Sequence, residues 1–247
     1  MTVVKLGGSI ISDKKVEFSY RAEVVASLAR AIASSGERVV IVHGGGAFGH
    51  PVAKKYGLSS SLARSSPRGV SETRRAMFDL DARICDSLLS AGVLPYSFSP
   101  YPLLSAAGPK GVSWLRAALS AGLTPVTFGD VVLTGEGFRI ISGDTISLRL
   151  SRSLGASRCV FVMDVDGVLD DQGGVIRTLK PEVARRLART ASSDATGGIG
   201  LKVREALKMA ASGTEVAFVS GFRPHEFSKA LKRLGFHGTI VRAPSRD

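Results

Sequence analysis

No stretch of this 247-residue chain approaches the ~20 consecutive apolar residues that a membrane span needs. Its first ten residues, MTVVKLGGSI, read as a strand and lack the basic n-region and small-residue cleavage site of a secretory leader. Cysteine occurs only at Cys85 and Cys159, with no CxxC or Cys/His cluster to suggest a metal. Both are expected to be buried thiols, which points to a reducing, cytoplasmic setting. A Walker A sequence is missing, and so are internal repeats and low-complexity segments. Acids are few: 21 Asp and Glu stand against 33 Lys and Arg, for a net charge of +12. The basic residues are scattered (Arg21, Arg30, Arg74, Arg75, Arg152, Arg185, Arg186, Arg204, Lys232), without a basic tail or basic–aromatic alternation. That distribution argues against nucleic acid and for a generally basic surface that draws anionic substrates.

What is present in quantity is glycine at strand ends. Val39, Val40, Ile41 and Val42 make a short buried strand, followed by His43-Gly44-Gly45-Gly46-Ala47-Phe48-Gly49-His50. Without a Cβ, the backbone can take positive φ and bring its N–H groups close to a ligand. Where such a turn opens a helix, the N–H groups and the helix dipole make an anion site. A purely structural strand-to-helix turn needs fewer glycines. The spacing Gly44-x-Gly46-x-x-Gly49 also matches the dinucleotide fingerprint, which requires an acid about twenty residues on, after a second strand. Residues 51–70 supply neither, so a dinucleotide is disfavoured and a phosphate of another kind is expected.

Along the chain, 3–6 read as a first strand ending in Gly7-Gly8-Ser9. Residues 21–35 are an amphipathic helix stopped by Gly36. Residues 51–70 are a polar connection rich in Ser, Arg and Pro. A long helix covers 71–91, a short strand and turn 95–102, and a helix 111–121. Strand 125–128 precedes a hairpin of 131–133 with 138–141. Ser142-Gly143-Asp144 opens a helix to 154. Strand 159–163 ends in Asp164-Val165-Asp166-Gly167-Val168. Helix 181–190, the turn Thr196-Gly197-Gly198-Ile199-Gly200-Leu201-Lys202, helix 203–212, strand 216–219, helix 224–234 and strand 239–241 complete the chain. Alternation of this kind implies an α/β fold with a mostly parallel sheet covered on both faces. Ligands then lie at the carboxyl ends of the strands, where the glycine turns fall. With 44% hydrophobic residues the chain can form one large domain or two lobes sharing a sheet.

Five segments in order, Lys5-x-Gly7-Gly8-Ser9, His43 to His50, Ser142-Gly143-Asp144, Asp164 to Val168 and Thr196 to Lys202, resemble the amino-acid kinase superfamily over nearly the whole chain. Lys14 after Gly-Gly-Ser-Ile, with Phe48-Gly49-His50, resembles its isopentenyl phosphate kinase branch. The resemblance implies an open αβα sandwich forming one domain over 1–247, with an acceptor-binding lobe (about 1–155) and an ATP-binding lobe (about 156–247). It implies a homodimer, and ATP with Mg2+ as cofactors. It also implies ATP contacts from Lys5, Leu6, Gly7, Gly8, Ser9, Gly46, Asp164, Gly167, Gly198 and Lys202, and acceptor contacts from Gly45, Gly49, His50 and Gly143. One departure is Thr145, where the family pattern would place a second acid beside Asp144.

Phosphoryl transfer needs positioning and charge neutralisation more than covalent chemistry. Lys5, Lys14 and Lys202 each adjoin a glycine turn and are the candidate cations. Asp144 could hold the lysines, cap its helix, or both. Asp164 and Gly167 could contact the nucleotide or simply form a turn. A hydroxyl acceptor would need a base. A phosphate monoester is already a dianion near pH 7 and needs donors instead. His50, beside the amides of Gly45 and Gly49, is the candidate donor, which favours a phosphate monoester such as isopentenyl phosphate; a kinase of a carboxylate, carbamate, nucleotide or phosphonate is the close rival, a carboxylate calling for an arginine-lined pocket and a phosphonate kinase able to share His50. A non-catalytic nucleotide sensor would not need all three lysines. His43 reads as structural. The apolar tail of such an acceptor is expected against the helix around Met77, Phe78, Asp81 and Ile84.

Overall fold

The computed structural model describes residues 1–58, 66–100, 109–135, 137–190 and 199–242. Its first strand, β1 (Thr2–Leu6), is buried along its whole length, as a strand covered on both faces must be. Val4 and Leu6 enter one core and Val3 the other. Lys5 alternates with Val4 and Leu6, so it projects to the face of Val3.

The other strands are β2 (Val39–His43), β3 (Pro95–Ser97), β4 (Thr124–Phe128), β5 (Asp130–Thr134), β6 (Gly137–Ile141), β7 (Arg158–Met163), β8 (Glu215–Ser220) and β9 (Thr239–Val241). Seven form one sheet in the order β3-β4-β2-β1-β7-β8-β9. Every neighbouring pair is parallel except β8 and β9. β5 and β6 make a separate antiparallel hairpin, with Asp130 opposite Ile141. From β1 the chain first builds the β2 side, then crosses to β7. The carboxyl ends of these central strands therefore form a topological switch point, where open parallel sheets bind ligands.

Among the described residues the helices are α1 (Gly8–Ile11), α2 (Ala22–Ala33), α3 (Gly46–Lys55), α4 (Pro67–Ser90), α5 (Pro109–Ser120), α6 (Gly143–Leu154), α7 (Pro181–Thr190), α8 (Ile199–Ala211) and α9 (Pro224–Leu231). Ile10, Leu28, Phe48, Leu80 and Phe227 bring α1 to α4 and α9 onto the face of Val4 and Leu6. Leu115, Ile146, Ala184 and Val203 bring α5 to α8 onto the opposite face, with Val3 and Val40. This is the αβα sandwich with a mostly parallel sheet expected from the alternation of elements.

Two boundaries differ most from expectation. The segment 51–70 is not one connection: α3 runs through Pro51 to Lys55, and α4 already begins at Pro67, where Ser66 accepts the Gly69 amide at 2.9 Å. A proline normally stops a helix because the carbonyl four residues back loses its donor. Here the Phe18 amide bonds the Ala47 carbonyl at 2.9 Å. A distant contact thus overrides the local signal. Residues 59–65, the end of the 95–102 segment and the Thr196-Gly197-Gly198 turn lie outside the described residues.

The glycine turns after β1 and β2 press together. A Cβ on Gly8 would lie 2.6 Å from the Gly46 nitrogen, and Gly46 itself stands at φ 48°. Backbone cannot move aside as a side chain can. Gly8→Ala should cost about 1–3 kcal/mol of overpacking, lowering the melting temperature by roughly 2–4 °C per kcal/mol in a chain of this size. A thermal melt identical to the wild type would contradict this close approach.

Candidate active site

The site begins with Asp144. Ser142 caps α6, its hydroxyl accepting the Thr145 amide at 3.1 Å. Asp144 is therefore not the cap, and its carboxylate is available for other work from the first helical turn. It is buried and bridges two lysines: Lys5 Nζ lies 2.7 Å from Oδ1 and Lys202 Nζ 3.3 Å from Oδ2. Lys5 reaches it because β1 points that side chain to the α6 face. Lys202 reaches it from the first turn of α8. Burial alone would raise the Asp144 pKa, but the two ammonium groups outweigh burial and hold it below the ordinary carboxylate value. Burial, then repulsion from Lys5, lowers the Lys202 pKa despite Asp144. Thr145, where a second acid was expected, closes the cap with Ser142 (Oγ to Oγ1, 3.1 Å). Asp144 thus engages both lysines without a second acid at position 145.

His50 sits five residues into α3 and is exposed on one side. Burial of the rest of the ring lowers its pKa, and the positive charges of Lys14, Lys5 and Lys202 lower it further. Lys14, Lys5, Lys202 and Asp144 therefore all lie within electrostatic reach of the His50 ring. Three lysines against one carboxylate leave the surroundings of His50 with an excess of positive charge, suited to anions. Lys14 is exposed, on the loop between α1 and α2.

Backbone donors stand at the helix starts beside these groups. Gly7 and Gly44 give their amides to the sheet, to Val162 at 2.9 Å and Leu6 at 3.0 Å. The Gly8, Ser9, Gly45 and Gly46 amides have no hydrogen-bond acceptor among the described residues, and they stand at the starts of α1 and α3. Such amides form an anion-binding nest. One expectation needs correcting. The Gly49 amide is taken by the Gly45 carbonyl at 2.9 Å, so Gly49 offers no donor to an acceptor. It serves packing instead, since a Cβ there would lie 2.5 Å from Met77 Sδ. Gly143 opens α6 beside Lys5, where a Cβ would approach Lys5 Cε at 3.4 Å.

The remaining candidates divide. Leu6 ends β1 in the core. Asp164 is exposed just past β7, and Gly167 is buried where a Cβ would meet Thr239 Oγ1 at 2.6 Å. Gly198 lies outside the described residues. His43 is buried and structural as expected: Nε2 lies 3.1 Å from Asp81 Oδ1, whose other oxygen takes the Ser97 hydroxyl at 2.5 Å, and the ring stacks on Phe128. Asp81 is thus committed to this network, and Ile84 is sealed in the core, so neither can wall an acceptor pocket. Met77 packs under Gly45 and Gly49. Phe78 is 44% exposed, with its edge on Phe128. Arg74, over the Phe78 ring, is paired with Asp130 at 2.6 Å. Sequence reasoning missed Ser12. Its hydroxyl accepts the Ala47 amide at 2.8 Å and donates to the Gly8 carbonyl at 2.7 Å, tying the two glycine turns together. Its one signal was a position one helical turn after Gly8. No group of three or more His, Cys, Asp or Glu among the described residues could hold a metal ion.

Asp144→Asn keeps the shape and removes the charge, leaving two buried ammonium groups face to face. Breaking a buried pair costs about 3–5 kcal/mol, so the variant should melt well below the wild type near pH 7. In the wild type the stabilisation is present above the ordinary carboxylate value and is lost as pH falls through the depressed pKa of Asp144. The variant lacks that acid-side loss. ATP should raise its melting temperature more than the wild type's, since phosphate replaces the missing anion. Equal melting points and equal shifts would contradict the bridge.

Against known proteins, the profile of the Amino acid kinase family matches residues 1–220. The isopentenyl phosphate kinase of Thermoplasma acidophilum is 31% identical over 98% of this chain and 100% of its own. That of Haloferax volcanii is 37% identical over 91% of this chain and 96% of its own. A solved isopentenyl phosphate kinase superimposes with a TM-score of 0.81 at 27% identity, covering 98% of this chain and 100% of that one.

Proposed function

This chain belongs to the amino acid kinase family, and from that premise we propose that it is an ATP-dependent kinase converting isopentenyl phosphate to isopentenyl diphosphate. The Thermoplasma acidophilum and Haloferax volcanii relatives, 31% and 37% identical over 98% and 91% of this chain, carry that activity in their names. The observation that carries the reading to the site is the convergence of Lys5, Lys14, Lys202 and neutral His50 around one buried carboxylate.

The chemistry follows from the charges. The acceptor phosphate, largely a dianion at neutral pH, attacks the γ-phosphorus of ATP while the bond to the β–γ bridging oxygen breaks and ADP leaves. No proton need be removed from the acceptor, so no general base is required. The difficulty is repulsion between two polyanions. Lys5 and Lys202, with the nest of Gly8, Ser9 and Gly46, would hold the ATP phosphates. Lys14 would neutralise the group in flight. His50, uncharged but able to donate one N–H, would hold the acceptor phosphate beside the Gly45 amide. Magnesium is the ordinary partner of ATP. With no protein metal cluster among the described residues and the Asp144 oxygens taken by lysines, the ion would be held by phosphate oxygens and water.

The acceptor's five-carbon tail would lie along exposed Phe78. Arg74 nearby is neutralised by Asp130, which speaks against a carboxylate acceptor there. We assign residues 1–155 to the acceptor lobe and 156–247 to the nucleotide lobe, because Lys14 and His50 fall in the first, Asp164 and Lys202 in the second. A homodimer is favoured by Leu89, Leu94 and Tyr96, exposed on and around the edge strand β3. The unpaired thiols Cys85 and Cys159 favour a reducing compartment such as the cytoplasm.

Steady-state kinetics with ATP and isopentenyl phosphate varied separately test the roles. Lys14→Ala or Lys202→Ala should lower turnover by about 10²–10³, the loss typical of removing one transition-state donor, with circular dichroism unchanged. His50→Gln keeps a donor of similar reach and should retain more activity than His50→Ala. In both, KM for the acceptor should rise while KM for ATP hardly moves. Equal, near-total loss in both His50 variants would instead indicate a general base. A defect confined to ATP would overturn the donor role.

A further inference from the structure

We propose that the backbone of Ala47 is a two-point clamp on the loop that carries Lys14, and that Pro51 is a positioning residue because it frees one of the two points. The loop leaves α1 at Ser12 and turns back at Phe18. At its near end, the Ser12 hydroxyl accepts the Ala47 amide at 2.8 Å. At its far end, the Phe18 amide donates to the Ala47 carbonyl at 2.9 Å. One residue of α3 therefore holds both ends.

The second point exists only because of Pro51. In an uninterrupted α-helix the Ala47 carbonyl would accept the amide of residue 51. Proline has no amide, and its ring presses on the carbonyl four residues back. The freed carbonyl is what Phe18 binds. Phe18 stands at φ 57°, a left-handed conformation uncommon for a residue with a Cβ. Its ring meets Phe48, the neighbour of Ala47, edge-on at 5.5 Å. Within the loop, the Ser19 hydroxyl accepts the Asp13 amide and donates to the Asp13 carbonyl, both at 2.9 Å. Lys14 thus hangs from a closed loop tied three residues before His50 and one after Gly46. The clamp sets Lys14 relative to both.

The kinetic consequence rests on the role proposed for Lys14; the mechanical consequence does not. Misplacement by about 1 Å can cost 10²-fold in rate. Pro51→Ala returns an amide to the helix, draws the Ala47 carbonyl back into the helical ladder and leaves the Phe18 amide without its acceptor. We expect a kcat reduced by about tenfold or more, an unchanged KM for ATP, and a melting temperature no lower than the wild type's, since alanine is the better helix former. Trypsin should cut after Lys14 or Lys15 severalfold faster. In a Lys14→Ala background, Pro51→Ala should bring no further fall in the residual kcat. Ser12→Ala, which opens the other point, should also speed the tryptic cut. Unchanged nicking in both variants would overturn the clamp. An equal fractional loss of kcat with and without Lys14 would overturn positioning through Lys14. Wild-type turnover in Lys14→Ala alone would refute the catalytic reading of Lys14 and leave the nicking result to decide the clamp.

Discussion

One buried carboxylate governs this site. Asp144 holds Lys5 from the first strand and Lys202 from a helix near the far end of the chain. Two ammonium groups that close would otherwise repel, and the depressed pKa of Lys202 records part of that repulsion. Asp144 offsets only part of the positive charge. Lys14 remains, and His50 is kept neutral by burial and by the lysines themselves. The site is therefore assembled in a state that favours incoming anions, with little rearrangement needed before phosphates bind. Arrangements of this kind lower a barrier because the dipoles and charges are in place before the reaction begins.

The second constraint is backbone proximity. β1 and β2 are neighbours, so their glycine turns emerge side by side, and only residues without a Cβ could stand where Gly8 and Gly46 meet. That contact aligns the starts of α1 and α3, and with them four amides free to bind phosphate. α3 then supplies several parts at once: amides at its first turn, His50 in its second, and the Ala47 peptide groups that hold the Lys14 loop. In the proposed reading, a single rigid element thereby relates the acceptor site to the transferred group.

Much of this was legible in the residues. The β-branched runs of β2 and β7 and the glycine turns marked the sheet and the end of it that binds ligands. Lys5, Lys14, His50, Asp144 and Lys202 could be named because each adjoins a turn whose pattern resembles a known family. What was not legible depended on contacts distant in sequence. Pro51 reads locally as a helix stop, and only the Phe18 amide explains why α3 continues. Gly49 reads as a phosphate donor, yet the Gly45 carbonyl takes its amide and its missing side chain makes room for Met77. Asp81 sits on the helix expected to line the acceptor pocket, but His43 and Ser97, from β2 and β3, claim both its oxygens. Ser12 carried almost no signal, because the two turns it ties together lie far apart along the chain.

The central claim is that this site passes a phosphoryl group from ATP to a phosphate monoester. Phosphorus NMR of the purified protein with ATP, Mg2+ and isopentenyl phosphate tests it most directly. The account predicts that the monophosphate resonance is replaced by the two coupled doublets of a diphosphate ester, one equivalent for each ADP formed. Formation of ADP with inorganic phosphate alone, or no consumption of the monophosphate while another acceptor is phosphorylated, would contradict it.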